Sequence, residues 1–219
     1  RPSFQRWSDG EPKRLVLPSA ASSSNMFRTI FIVVVALAIA LGGGAYSAWY
    51  AVNDFDGFGA LKAGDWTAYP LEGTHEADPY SRARTAREGA LPLGSAEGIA
   101  FYAYADHRGE PLMRGCEYRI QGNSPPARFW TLHAADDALV PLIPRAGLPE
   151  ALHSEEVIRR QDGTYVIAIG PKPRPGNWLS VQGSRPLALV MTLYDTPVTG
   201  DSGLIGVTLP SISRVACDA

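Results

Sequence analysis

Residues 98–134 read GIAFYAYADHRGEPLMRGCEYRIQGNSPPARFWTLHA, and this stretch decides the fold. It holds three short runs rich in aromatic and β-branched residues, at 98–105, 112–121 and 128–134, separated by the turn sequences DHRG and GNSPP. Runs of this length and composition are typical of β-strands. The middle run alternates apolar and polar side chains, so we expect it to be half-exposed.

The same pattern of short strands continues to the C-terminus. We predict further strands at 156–160, 164–170, 178–181, 187–194, 205–209 and 212–216. The first two should form a hairpin about the turn QDG, and a short helical turn is expected near 149–152. LALVMTL at 187–193 is apolar on both faces and should be a central strand. The set predicts a mainly β fold, a jelly-roll-like antiparallel β-sandwich.

The segment before these strands contains one predicted short helix and a connector. Asp78 is expected to cap the helix N-terminus, Pro79 to take its first position and Gly89 to end it. Residues 53–77 lack periodicity, and we interpret them as a juxtamembrane connector. Four aromatic side chains of the connector are expected to lie on the domain or on the membrane interface: Phe55, Phe58, Trp66 and Tyr69.

An apolar segment near the N-terminus predicts a membrane-spanning helix. Residues 29–53 carry no charged side chain, and the segment 26–52 is long enough to cross the hydrocarbon core of a bilayer. Lys13, Arg14 and Arg28 precede the uncharged run, and by the positive-inside rule they place the N-terminus in the cytoplasm. The prediction is therefore a single-pass protein of the bacterial inner membrane, with its C-terminal domain, residues 78–219, in the periplasm.

Two features of the N-terminal segment leave alternatives open. The small residues around Tyr46 resemble a signal peptidase site, so a cleaved signal is the alternative to the uncleaved anchor that we favour. Residues 1–25 are rich in Pro and Ser and are expected to be a disordered or non-native leader, with Met26 as the start. A genuine cytoplasmic tail is the alternative.

Charge and cysteine content narrow the function classes. From Asn53 onward there are 15 Lys and Arg residues against 20 Asp and Glu residues, with no basic run, which argues against a nucleic-acid partner. The two cysteines, Cys116 and Cys217, both fall on the exported side, where oxidising conditions favour a disulfide. Two separate buried thiols are the alternative.

The sequence offers few residues for chemistry. Its four histidines are widely spaced, and no pattern typical of catalytic residues, a metal site or a cofactor is present, so we expect none of the three. Aromatic and polar side chains in the strands are the remaining candidates for contacts with a ligand or partner, although strand aromatics more often belong to the core. The candidates are Trp130, His133, Asn177, Trp178 and Tyr194.

Four short motifs carry a family resemblance. They are RFWTL at 128–132, DG at 162–163, NWL at 177–179 and LY at 193–194. With them the chain resembles, over about 78–215, the bacterial family called domain of unknown function 1214, including its short membrane-anchored members. The resemblance implies a β-rich, jelly-roll-like module without catalytic residues. It also implies a second module, domain of unknown function 1254, on the same polypeptide or as a separate protein.

Two functions are compatible with these observations. The first is a non-enzymatic, membrane-anchored envelope module that binds a partner protein, namely a separate member of the 1254 family, and it predicts an exposed apolar patch. The second is a glycan- or lipid-directed binding protein or hydrolase in the periplasm. That function predicts a deep pocket lined by convergent polar groups.

Overall fold

A computed structural model of the chain describes residues 23–53, 60–89, 91–199 and 206–217. The fold is mainly β, as the sequence predicts, with one long apolar helix, one short helix and ten strands among those residues. In chain order the elements are α1 (Ser23–Asn53), β1 (Leu61–Ala63), β2 (Trp66–Ala68), α2 (Pro79–Glu88), β3 (Gly98–Ala103), β4 (Cys116–Gly122), β5 (Phe129–Ala135), β6 (Ala151–His153), β7 (Tyr165–Gly170), β8 (Asn177–Ser180), β9 (Ala188–Tyr194) and β10 (Ser211–Cys217).

Helix α1 contains an apolar stretch, Met26–Ala51, that is long and apolar enough to cross a membrane. At 1.5 Å per residue its 26 residues extend about 39 Å, which exceeds the hydrocarbon thickness of about 30 Å. Three consecutive glycines at 42–44 lie inside the helix without ending it, so the apolar stretch is continuous. The predicted leader falls largely outside the described residues.

Helix α2 begins and ends where the sequence predicts. The Asp78 carboxylate accepts hydrogen bonds from the backbone N–H groups of Tyr80 (2.9 Å) and Ser81 (3.1 Å), which have no partner within the helix. Pro79 occupies the first helical position, and Gly89 ends the helix in the left-handed conformation, with φ of 64°.

The ten strands form two sheets. The six-stranded sheet has the order β1-β2-β3-β9-β5-β6 and is antiparallel, and the four-stranded sheet has the order β10-β4-β7-β8. Strands β7 and β8 are parallel, which corrects the prediction of a wholly antiparallel fold. After Gly170 the loop 171–176 returns along β7 by three residues, so that β8 starts opposite residue 167 and Gly170 pairs with Ser180. This short loop takes the place of the long crossover that parallel strands usually need. Among the described residues the sheets do not close into a barrel, and the jelly-roll topology stays a prediction.

One hydrophobic core joins the two sheets. Phe101, Leu132 and Met191 enter it from the six-stranded sheet, and Tyr118 and Ile167 enter it from the four-stranded sheet. Each of these side chains is almost completely buried. Because successive strand residues point to opposite faces, the core takes every second residue, and the others form two outer faces.

Strand β9 is the central strand that its sequence predicts. It pairs with β3 on one side and β5 on the other, and its residues from Ala188 to Leu193 are all buried. The approach of β3 to β9 is close at Gly98, where an added Cβ atom would lie 2.1 Å from the carbonyl oxygen of Leu193. Any side chain larger than hydrogen would therefore push the two strands apart at that point.

Three segments differ from their predictions. Residues 151–153 form strand β6 instead of a helical turn, because pairing with β5 buries Leu152. Residues 156–160 are not a strand. A turn follows β6, in which Val157 N–H donates to His153 O, and the pairing with β7 is reduced to a single bridge between Arg159 and Tyr165. Residues 206–209 are also not a strand, and residue 205 lies outside the described part of the chain.

Two strands that the sequence did not predict, β1 and β2, lie within the segment interpreted as a connector. They extend the six-stranded sheet at the edge formed by β3. Trp66 of β2 is 1% exposed, and its indole N–H donates a hydrogen bond of 2.7 Å to the carbonyl oxygen of Pro210. Of the other three aromatic residues assigned to that segment, Tyr69 lies with its ring 6.1 Å from the Tyr102 ring, and Phe55 and Phe58 lie outside the described residues.

The predicted disulfide between Cys116 and Cys217 is present. These two residues are directly opposite each other on the paired strands β4 and β10, and they are separated by 101 residues in the sequence. Nearby, the buried carboxylate of Asp106 forms an ion pair with Arg214 of β10, with an Nε–Oδ2 distance of 3.2 Å. The C-terminal strand is therefore fixed covalently and electrostatically.

We expect the double substitution C116S/C217S to lower the free energy of unfolding by up to about 4–5 kcal/mol, because the disulfide closes a loop of about 100 residues in the unfolded chain. Thermal unfolding followed by circular dichroism measures the change. Added reductant should lower the Tm of the native chain and leave that of the double variant unchanged. Equal Tm values for the native and variant chains would show that the bridge does not stabilise the domain.

Candidate functional site

The face of the six-stranded sheet that points away from the core carries a group of rings. On β5, Trp130, Leu132 and Ala134 point into the core, so the alternate side chains of that strand point outward. The pairing registers place outward-pointing rings of β3, β6 and β9 on the same side. We call five residues of this surface the aromatic face: Tyr102, Phe129, His133, His153 and Tyr194.

The rings of the aromatic face surround a strip of small side chains. Ala100, Thr192 and Thr131 lie in register on the neighbouring strands β3, β9 and β5, and Thr192 is buried. The rows of residues on either side of this strip contain the larger rings. The surface is therefore a shallow strip with aromatic borders, not a deep pocket.

Contacts between strands fix the rings at one end of the aromatic face. The Phe129 ring lies 6.0 Å from the Tyr194 ring and 5.5 Å from the His153 ring, measured between centroids. These separations are typical of interacting aromatic pairs. Glu156 then holds the imidazole, with its Oε2 atom 3.2 Å from His153 Nε2. Three strands thus supply one cluster of partly exposed rings.

His133 is the partly buried titratable group of the aromatic face. It lies in register with Val190 on one side and Ala151 on the other, so its neighbours across the sheet are apolar. Partial burial lowers the pKa of His133 from its ordinary value of 6.5, because the charged form loses hydration. The imidazole is therefore kept neutral over a wider range of pH.

The structure brings two of the five predicted contact residues together. His133 and Tyr194 both belong to the aromatic face. Trp130 is only 2% exposed and packs in the core, with its ring 5.3 Å from that of Tyr165. Phe129 was missed by sequence reasoning, although strand alternation beside a buried Trp130 was a signal for it. Tyr102 and His153 had no comparable signal because their neighbours come from distant parts of the sequence.

Asn177 and Trp178 lie on the other sheet, in β8. The Asn177 side chain accepts a hydrogen bond from Ile158 N–H (2.7 Å) and donates to the carbonyl oxygens of Ile158 and Val166 (2.9 Å each). The Trp178 indole N–H donates to Gly170 O at 3.2 Å. These bonds tie Ile158 and strand β8 to β7, so both side chains have structural partners in the protein.

The aromatic face offers stacking and hydrogen bonding. Tyr102 and Tyr194 present phenol groups, and His133 presents an imidazole that donates and accepts when neutral. Across residues 23–53, 60–89, 91–199 and 206–217, no group of three His, Cys, Asp or Glu side chains is placed to hold a metal ion.

Comparison with known families finds a match for part of the chain. The family model described as a protein of unknown function (DUF1214) matches residues 97–198, which include β3 to β9. Residues 97–198 of the chain match the DUF1214 model. This confirms the resemblance noted from the sequence motifs. Every residue of the aromatic face lies inside the matched range, whereas Cys217 and strands β1, β2 and β10 lie outside it.

Solved structures similar to this chain include two bacterial proteins. The VPA0106 protein from Vibrio parahaemolyticus is 19% identical, with a TM-score of 0.51, over 64% of this chain and 36% of that one. An uncharacterised protein from Burkholderia cenocepacia is 18% identical, with a TM-score of 0.38, over 68% of this chain and 46% of that one. The match therefore spans less than half the length of either protein. No curated protein has a significantly similar sequence.

We expect Asn177→Ala to lower the free energy of unfolding by about 1–3 kcal/mol, because it leaves backbone groups of Ile158 and Val166 without their partner. Chemical denaturation measures the loss. Asn123→Ala is the matched control, since the exposed Asn123 side chain accepts a local hydrogen bond from the N–H of the next residue, Ser124. A variant at 177 as stable as the control would contradict the structural role.

The lowered pKa of His133 predicts a pH-dependent stability. Between the folded pKa and 6.5, the unfolded chain binds more protons than the folded chain, so stability rises with pH across that window. The contribution of neutral His133 to the free energy of unfolding is fully present above about pH 6.5 and is lost as pH falls through the pKa of the folded state. The free energy of unfolding, measured at pH 7.5 and pH 5.5, should fall less at the lower pH for His133→Gln than for the native chain. An equal fall for the variant and the native chain would contradict the prediction.

Proposed function

We propose that the chain is a membrane-anchored, non-catalytic module of the bacterial envelope, and that the aromatic face of its DUF1214 domain binds a partner protein. One observation carries this proposal. The aromatic face is a sheet surface on which Phe129, Tyr194 and His153 form a partly exposed ring cluster next to small side chains. Aromatic anchors of this kind are enriched at protein interfaces.

The size of the nearby depression favours a protein partner over a small ligand on this face. It is lined by Tyr69, Tyr102 and Leu93, among others, and its volume is about 30 Å³, which is room for a water molecule or two. Pockets for small molecules usually hold about 300–1,000 Å³. A flat surface with ring anchors suits a second surface of complementary shape.

The location is supported by the N-terminal helix and by the disulfide. Helix α1 provides the membrane anchor, and the basic residues before it favour a cytoplasmic N-terminus. The Cys116–Cys217 disulfide suits an oxidising compartment such as the periplasm. We therefore propose a single-pass inner-membrane protein with a periplasmic DUF1214 domain.

The proposed partner is a separate protein of the 1254 family, the module that the sequence resemblance associates with this fold. In the VPA0106 protein the match spans 36% of the chain, so in that protein this fold is joined to much further polypeptide. A docking surface on the DUF1214 domain would serve the same association between separate chains.

Co-expression of the two full-length proteins tests the proposal. Phe129→Ala combined with Tyr194→Ala should weaken the complex at least about tenfold, because truncating interface anchors costs more than 1 kcal/mol each. Affinity in mild detergent is the measurement. Tyr80→Ala is the matched control, since Tyr80 is an exposed tyrosine on α2 outside the aromatic face.

Each variant is first checked for an unchanged Tm, so that a loss of binding is not a loss of folding. Undiminished binding by the double variant would exclude the aromatic face as the interface. The absence of any complex with the native chain would exclude the 1254-type partner itself.

A further inference from the structure

The outer face of the four-stranded sheet carries a second, different surface. Two adjoining concavities of about 360 and 220 Å³ share Val166, Ala168 and Pro175 as a common wall. Val166 and Ala168 alternate on β7 with the buried Ile167, so their side chains point away from the core. We call this surface the basic groove and define it by Arg119, Arg160, Val166, Ala168, Lys172 and Arg174.

The basic groove exists because β7 and β8 are parallel. The loop 171–176 must return along the sheet to start β8, and it carries Lys172 and Arg174. Arg174 forms an ion pair with Glu117 on β4, which holds the loop against the sheet. The groove is therefore a consequence of the fold and does not depend on a chance arrangement of mobile side chains.

The charge of the groove is opposite to that of the domain. From Asn53 onward the chain has five more acidic than basic residues. Glu117 is nevertheless the one carboxylate among the residues that line the two concavities, and it is already paired with Arg174. The basic side chains on the same lining come from three separate places in the chain: Arg119, Arg159 with Arg160, and Lys172 with Arg174.

Exposed aliphatic side chains accompany this positive charge. Ile158 lines one concavity and is 67% exposed, and Val215 lines the other and is 53% exposed. Long basic side chains bearing their charge outward, beside exposed aliphatic groups, are the combination that binds the interface of an anionic bilayer. A free anion would use the charges and leave Ile158 and Val215 in water.

We infer that the basic groove docks on an anionic phospholipid surface, with the basic side chains at the headgroups and Ile158 and Val215 in the interface. This goes beyond the partner-binding function, and it rests on the anchoring part of that proposal. Helix α1 ends at Asn53 and β1 begins at Leu61, so a membrane crossed by α1 is at high effective concentration for the domain. The net negative charge of the rest of the domain favours docking through this face alone.

Quenching of a fluorophore by lipid tests the inference on the full chain. The fluorophore is attached at Ile158→Cys, because both native cysteines are joined in the disulfide. The chain is placed in nanodiscs of phosphatidylcholine, alone or mixed with phosphatidylglycerol, that contain a lipid with a nitroxide on its headgroup. Ile143→Cys is the matched control, being an exposed isoleucine (85%) in the segment that follows β5 of the other sheet.

Quenching at Ile158→Cys should rise in the discs that contain phosphatidylglycerol and fall again at high salt, while quenching at Ile143→Cys stays low. The triple substitution R119Q/R160Q/K172Q should weaken docking about a hundredfold, at about fivefold for each charge removed. The corresponding Arg119→Lys and Arg160→Lys variant keeps the charge and should retain docking.

Equal quenching in neutral and anionic discs, or equal quenching at both positions, would overturn the inference. So would quenching that rises only when an acidic protein is added, since that result assigns the groove to a protein. Failure of the chain to migrate with discs of either composition would instead contradict the membrane anchor. The substitutions F129A/Y194A should leave the quenching unchanged, which separates this surface from the aromatic face.

Discussion

The pairing of the C-terminal strand β10 with β4 is the constraint on which the rest of the domain depends. The Cys116–Cys217 disulfide closes this pair, and Ile212 of β10 enters the shared core. The same segment also reaches the other sheet, because Ile212 N–H donates to the Asp65 carboxylate at 2.6 Å and Pro210 accepts from the Trp66 indole. One terminal segment therefore connects strands β1 and β2, at the edge of the six-stranded sheet, to the four-stranded sheet.

Strand alternation then gives the domain two outer faces of different chemistry. The core takes every second residue of each strand, which leaves rings and small side chains on the six-stranded sheet and charged residues on the four-stranded sheet. The aromatic face is suited to a folded protein surface, whereas the basic groove is suited to an anionic one. Because the faces lie on opposite sides of one core, a domain docked on lipid would still present its aromatic face.

The family match covers most of the chain segments that form the two outer faces. The DUF1214 range, residues 97–198, contains the whole aromatic face and also the loop 171–176 that shapes the basic groove. The disulfide and the strands that connect the two sheets at the C-terminal segment use residues outside that range. The matched range thus contains the aromatic face and most of the groove lining, whereas Val215 of the lining comes from strand β10 outside it.

Composition and local pattern were enough to predict the apolar helix, the caps of α2, the central position of β9 and the disulfide, because each depends on neighbouring residues or on a single possible cysteine pair. Other features depended on contacts between distant segments. Residues 151–153 became a strand because β5 lies beside them, and β8 became parallel to β7 because the loop 171–176 returns so tightly. Alternation predicted that Phe129 and Trp130 would point to opposite faces, but only the packing of the second sheet decided which face is buried. The cluster of Phe129, His153 and Tyr194 was beyond sequence reasoning for the same reason, since its members meet across three strands that are far apart in the chain.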